Sequence, residues 1–235
     1  MSNATDADAL LIAGQRNCGK TTLAEYLAGG MQKPVVMMGN QEWADYSPLN
    51  GTFRDFKETV EHAARSGQRP PSFLYVGPRH DVEQAIQYIS GDRTDSGEGV
   101  EGQGMGCTML IDEIYRFLPR SRKSNPYLVD CLKRGRHLAP RQAGISVVGM
   151  AHKFQDVDTE MISQAALVGF RMKQKDAAST ADRYFADEIS FGELEKYEFA
   201  CGDEVEWLSF DVGRPGRYTW TLDMQGGKIV QHRSF

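Results

Sequence analysis

Gly14-Gln15-Arg16-Asn17-Cys18-Gly19-Lys20-Thr21 is the stretch on which the reading of this chain turns. It has the form GxxxxGKT, the pattern of a phosphate-binding P-loop. An apolar run, Ala9-Leu10-Leu11-Ile12-Ala13, precedes it, and a helical run, Thr22-Leu23-Ala24-Glu25-Tyr26-Leu27-Ala28, follows. That strand–loop–helix setting separates the motif from a Gly-rich turn that binds nothing. The glycines let the backbone curl until its N–H groups face an anion, and the helix N-terminus adds a positive dipole end. The phosphate-contacting set is then Gly14, Gln15, Arg16, Asn17, Cys18, Gly19, Lys20, Thr21 and Thr22. Lys20 reaches the β- and γ-phosphates of ATP, and the Thr21 hydroxyl is a Mg²⁺ ligand.

A second acidic signal lies downstream. Cys107-Thr108-Met109-Leu110-Ile111 runs directly into Asp112-Glu113. A buried strand with two carboxylates at its C-terminal tip places them where open α/β sheets bind their ligands. Asp112 would hold the metal and Glu113 would act as general base on water, which favours a hydrolase over a kinase. The bland alternative for Asp112 is a helix N-cap.

The remaining pattern alternates strands and helices. Val35-Val36-Met37-Met38 and Phe73-Leu74-Tyr75-Val76 read as short buried strands. Phe53 to Ala64 and Asp81 to Ile89 read as amphipathic helices. The first helix is expected to end at Gly29-Gly30, and Gln41 to Gly51 to be a loop. Residues 91–106 hold six glycines and four acids, too little apolar surface to offset ordering, so a mobile loop is expected. Pro126 starts a helix expected to close at Gly135, and Gly144 to Ala151 is a strand. Ala177 to Phe185 reads as a helix. Glu204 to Asp211, Arg217 to Leu222 and Lys228 to Val230 alternate as half-buried strands, the last after a Gly226-Gly227 turn.

Composition bounds the function. The chain has 235 residues, 40% hydrophobic and 25% charged, which is ordinary for a domain with a sizeable core. A net charge of −5 excludes a wholly basic nucleic-acid binder, so any polyanion contact must be local. One such concentration exists: Arg116, Arg120, Arg122, Lys123, Lys133, Arg134, Arg136 and Arg141, with only Asp130 between them. These side chains are read as a solvated basic face, as contacts to nucleic-acid phosphates, or in one or two cases as an arginine finger toward a neighbouring subunit. Cys18, Cys107, Cys131 and Cys201 form no CxxC pair and read as reduced thiols. No signal peptide is seen, and no apolar run approaches the ~20 residues that span a bilayer.

The order Asp112-Glu113, then Lys133-Arg134-Gly135-Arg136-His137, then Gly144-Ile145-Ser146-Val147-Val148-Gly149-Met150-Ala151-His152 resembles the HerA–FtsK superfamily of DNA-pumping ATPases. The following Lys153 to Asp158 turn and the Val168 to Met172 strand fit it too, so the resemblance covers roughly residues 8–200. It implies an α/β fold: a RecA-like P-loop NTPase core with a mostly parallel central sheet flanked by helices, followed by C-terminal antiparallel strands. The core would span residues 1–200, and 201–235 would be a β extension of the same domain. The Ile145–Ala151 strand would lie between the strands carrying the P-loop and the acid pair. His152 would then sense the γ-phosphate, at a position where the family more often has glutamine. Arg136 matches the family's Gly-Arg position best and is the candidate finger in trans, with Leu138 to Gln142 inserted after it.

A chain that is almost only a motor most resembles the compact genome-packaging ATPases of membrane-containing icosahedral phages and viruses. The resemblance implies ATP hydrolysis with Mg²⁺, sequence-independent double-stranded DNA as substrate, and a homo-oligomeric ring, expected to be a hexamer. It also implies a capsid portal or vertex protein as partner, without membrane insertion, in the host cytoplasm or on a virion rather than secreted. Two other readings stand beside it. One is a morphogenesis ATPase of the zonula-occludens-toxin-like group, which usually carries a transmembrane helix. The other is a nucleotide-gated scaffold that never hydrolyses, against which Glu113 counts.

Overall fold

The computed structural model describes residues 9–16, 18–31, 33–38, 50–66, 72–75, 78–91, 106–138, 144–171, 192, 204–211, 217–223 and 229–234. The expected Ala177–Phe185 helix, the Gly226-Gly227 turn, Cys201 and nearly all of the 91–106 loop lie outside these residues.

Among the described residues, ten strands form one sheet. In chain order they are β1 (Ala9–Gly14), β2 (Val35–Met38), β3 (Asn50–Gly51), β4 (Phe73–Tyr75), β5 (Cys107–Ile111), β6 (Ile145–Ala151), β7 (Leu167–Arg171), β8 (Glu204–Asp211), β9 (Arg217–Asp223) and β10 (Ile229–Ser234). Their spatial order is β10-β9-β8-β7-β1-β6-β5-β2-β4-β3. From β7 to β3 every pairing is parallel. From β7 through β10 every pairing is antiparallel. The fold is thus the expected α/β P-loop core with a mostly parallel sheet and C-terminal antiparallel strands. The strand β6 lies between β1 and β5, pairing Ala13 with Ala151 on one side and Ile111 with Gly149 on the other.

The helices are α1 (Lys20–Gly30), α2 (Phe53–Arg65), α3 (Arg79–Ser90), α4 (Pro126–Leu138) and α5 (Thr159–Gln164). Both faces of the central strands are covered, so β1, β5 and β6 are buried along their whole length. The period of two assigns alternate side chains to opposite layers. Leu11, Ala13, Met109, Ile111, Val147 and Ala151 pack with Phe56, Val82, Ile86, Leu128 and Met161 from α2–α5. Leu10, Ile12, Leu110, Val148 and Met150 pack with Leu23, Ala24 and Ala28 of α1 and with Trp207 of β8.

Local chemistry sets the helix starts. The Asn125 side chain accepts the Leu128 N–H at 3.0 Å, with Pro126 in the first helical position. Thr52 and Asp55 exchange backbone-to-side-chain bonds at the head of α2. The helix α1 ends at Gly30, as expected, with Met31 as a right-handed cap. The end of α4 departs from expectation, running through Gly135 to Leu138. An interior glycine costs only about 1 kcal/mol against alanine, so good helix formers beyond it carry the helix on. The short β3, inside the expected 41–51 loop, is recruited by parallel pairing with β4.

Candidate active site

Parallel strands point their C-terminal ends the same way, and here three adjacent ones deliver the chemistry to one edge. The strand β1 feeds the P-loop, β5 ends at Ile111 before Asp112-Glu113, and β6 ends at Ala151 before His152.

The P-loop is closed by its own side chains. Gln15 and Arg16 are exposed, and Cys18 is buried. The main-chain oxygen of Gln15 accepts from the Cys18 thiol at 2.7 Å and from Lys20 Nζ at 2.6 Å. Gly19 is left-handed, with φ 78° and ψ 18°, a conformation that only glycine adopts freely, and α1 begins at the next residue. Thr21 and Thr22 sit half-buried in the first turn of α1. Asn17 lies outside the described residues. Burial pushes the Cys18 thiol up, only partly offset by the charges of Lys20 and Arg171, so the sulfur is held as a neutral S–H. Gly14 has no room for a side chain: a Cβ would come within 2.8 Å of Cys18 Sγ and 2.9 Å of Trp207.

The acid pair is shaped by an unusual turn. Glu113 has φ 49° and ψ 47°, and is the only non-glycine residue with positive φ among those described. Such a conformation costs about 1 kcal/mol or more. A hydrogen bond from its own N–H to Asp112 Oδ1, at 2.9 Å, offsets that cost, because bonds to a carboxylate contribute about 1.5–3 kcal/mol. The turn swings the Glu113 carboxylate toward three partners. Arg116 Nη2 forms an ion pair with Glu113 Oε2. The Tyr115 hydroxyl donates to Oε1 at 3.0 Å, and His152 Nε2 lies 3.9 Å from the same oxygen. The His152 contact is ionic only when the imidazole carries a proton.

Asp112 is mostly withdrawn from water. Burial and, less strongly, the Glu113 charge push its carboxyl up, while the Glu113 N–H, Lys20 and His152 act in the opposite direction. The site therefore brings together Lys20, Asp112, Glu113 and His152. It holds a lysine ammonium, a threonine hydroxyl in Thr21 at the start of α1, and the half-buried Asp112 carboxylate: the donor set suits a triphosphate and a hard divalent cation.

Three residues of the site carry no motif in the sequence. Tyr115 and Arg116 hold Glu113 from within the turn, and in the sequence Arg116 is only one cation of the basic segment. Trp207, from β8, is fully buried and donates its indole N–H to the Cys18 carbonyl at 3.0 Å.

The basic segment divides. Arg116 pairs with Glu113 and Lys133 with Glu160 at 3.4 Å, while Arg120, Arg122 and Lys123 are exposed. The backbone of Arg134 and Arg136 lies in the last turns of α4, and the placement of their side chains, like Arg141, lies outside the described residues.

A parallel sheet with a P-loop after β1 and an acid pair after the neighbouring strand but one defines a P-loop NTPase. Residues 10–171 match the ATPase family associated with various cellular activities (AAA), and the chain belongs to that family. No curated protein matches the sequence significantly. Among solved structures, the fold is similar to that of the genome packaging NTPase B204 from Sulfolobus turreted icosahedral virus 2, in complex with AMPPCP. The TM-score is 0.62 at 16% identity, over 99% of this chain and 100% of that one. It is also similar to B204, the DNA-packaging ATPase from Sulfolobus turreted icosahedral virus, with TM-score 0.59 and 18% identity over 100% of both chains. The pCW3 conjugation coupling protein TcpA, with ATPγS, shares the fold at TM-score 0.51 and 11% identity, over 90% of this chain and 59% of that one. These likenesses are of fold, and they agree with the α/β P-loop architecture described above. Among the described residues, no helix is long and apolar enough to cross a membrane.

Proposed function

We propose that this protein is an ATP-hydrolysing DNA translocase, a genome-packaging motor that threads double-stranded DNA into a preformed capsid. The observation that carries the reading is the convergence of Lys20, Asp112, Glu113 and His152 on the C-terminal ends of β1, β5 and β6. The match in fold and length to packaging NTPases supports the choice of cargo.

Each residue has a task in this account. The P-loop backbone and Lys20 hold the phosphates of ATP. Thr21 and Asp112 supply oxygen donors for Mg²⁺, which draws charge from the phosphate oxygens when bound. Glu113 takes a proton from the attacking water on its carboxylate. Tyr115 and Arg116 fix the direction of that carboxylate, so the base is oriented before water arrives. His152, at the tip of β6, hydrogen-bonds the terminal phosphate or the water and reports hydrolysis. Arg136 is the finger that reaches a neighbouring subunit's nucleotide in a ring. Exposed Arg120, Arg122 and Lys123 contact DNA phosphates, which requires no base reading.

Steady-state ATPase assays with and without double-stranded DNA test this. Turnover is expected to be slow, to rise with DNA and protein concentration, and to fall to background in Glu113→Gln while nucleotide still binds. A wild-type chain that binds ATP and never turns it over, with or without DNA, would exclude the motor and leave a nucleotide-gated scaffold.

A further inference from the structure

We infer that Trp207 is a positioning residue of the nucleotide site, placed there by the C-terminal strands. It stands outside the family match, which ends at residue 171, and no motif includes it. The inference rests on the reading of Gly14–Thr21 as the nucleotide cradle.

Three observations meet at this side chain. Trp207 is wholly buried, in the layer that also holds Leu10, Ile12, Cys18 and Leu23. Its ring lies so close beneath the end of β1 that a Cβ on Gly14 would meet it at 2.9 Å. Its indole N–H donates to the carbonyl of Cys18 at 3.0 Å, across 189 residues of sequence.

The last bond acts on the cradle through peptide geometry. The Cys18 carbonyl and the Gly19 N–H belong to one planar trans unit, so they point to opposite sides. Anchoring that carbonyl on Trp207 fixes the direction of the Gly19 N–H, one of the donors a P-loop turns toward phosphate. Gly19 is left-handed and has no Cβ to restrict its backbone; its carbonyl accepts from the Leu23 N–H at 3.0 Å, and the Trp207 bond restrains the peptide on its other side. The indole supplies a single donor in a fixed plane and no acceptor, which suits one buried carbonyl. Trp207 pairs across the ladder with Trp220 of β9, so the anchor is itself held by the antiparallel strands.

Trp207→Phe tests the point, because it keeps an aromatic ring and removes the donor. The comparator is Phe56→Leu, a buried site in the opposite core layer, packed against Phe73 of β4, with β6, β5 and β2 between β4 and β1. Binding of a fluorescent ATP analogue with Mg²⁺ is measured well below both melting temperatures, beside steady-state kinetics. Trp207→Phe is expected to weaken binding about threefold to tenfold, the scale of one ordinary hydrogen bond. KM is expected to rise with kcat nearly unchanged, since Trp207 touches none of the reacting groups. Phe56→Leu is expected to lower the melting temperature without moving KM. Unchanged binding and KM in Trp207→Phe would overturn the inference and leave the tryptophan as core packing alone. Failure of the wild type to bind the analogue would overturn the nucleotide reading itself.

Discussion

Glu25 shows how a single residue sets a measurable property of the first helix. One of its carboxylate oxygens is buried without a hydrogen-bond partner among the described residues, and burial pushes its pKa up to about 7 from 4.5. A raised acid means that the folded chain holds the proton more tightly than the unfolded one. Its favourable contribution is therefore complete below pH 4.5 and is lost as pH rises through about 7. Replacing it with glutamine removes the charge that must be buried. Glu25→Gln is expected to raise the melting temperature at pH 8, on the order of 2 °C after allowing for solvent screening of a half-exposed group. At pH 4.5 it is expected to change little; thermal melts of both chains at the two pH values check this. The same scale shows what the sequence could and could not disclose. Lys20, Thr21, Asp112 and Glu113 were legible because each belongs to a local pattern with its own chemistry. Trp207 was not, because its partner Cys18 is distant in sequence and its own surroundings read only as an alternating strand. Tyr115 and Arg116 were not, because their meeting with Glu113 depends on a left-handed residue that no pattern announces.

At the scale of elements, the acid pair depends on how β6 meets the turn after β5. Gly149 pairs with Ile111, and Ile114 fills the space where a side chain on Gly149 would lie. Ile114 directly follows Glu113, so a methyl group at position 149 would press on the turn that carries the proposed general base. Gly149→Ala is expected to cost about 1–3 kcal/mol of stability, the range for overpacking a filled core, as read by urea denaturation. It is also expected to slow turnover at saturating ATP, since the displaced turn carries Glu113. An alanine variant with wild-type stability and kcat would show that the turn yields freely. Strands and helices were largely legible from apolar periodicity, because both faces of β1, β5 and β6 are buried and read as continuous apolar runs. The end of α4 was not, because the interior Gly135 is a small cost that Arg136, His137 and Leu138 offset.

Over the whole molecule, one sheet carries both the nucleotide cradle and the antiparallel strands, and β8 joins them through β7. The ring proposed here adds a contribution that no single chain contains: Arg136 serving a neighbour's nucleotide. That makes a complementation test decisive for the ring. Glu113→Gln and Arg136→Ala are each expected to be inactive alone. Mixed, they are expected to regain part of the activity, because some subunit boundaries then pair an intact Glu113 with an intact Arg136. Absence of recovery, with both variants assembling normally, would place the finger on another arginine or remove it.

The central claim is movement along DNA, and its most direct measurement is ATP-driven displacement of a third strand from a triplex on double-stranded DNA. The account predicts displacement that requires hydrolysable ATP and Mg²⁺, proceeds on duplexes of unrelated sequence, and vanishes in Glu113→Gln. ATP hydrolysis at full rate with no displacement on any duplex would contradict it.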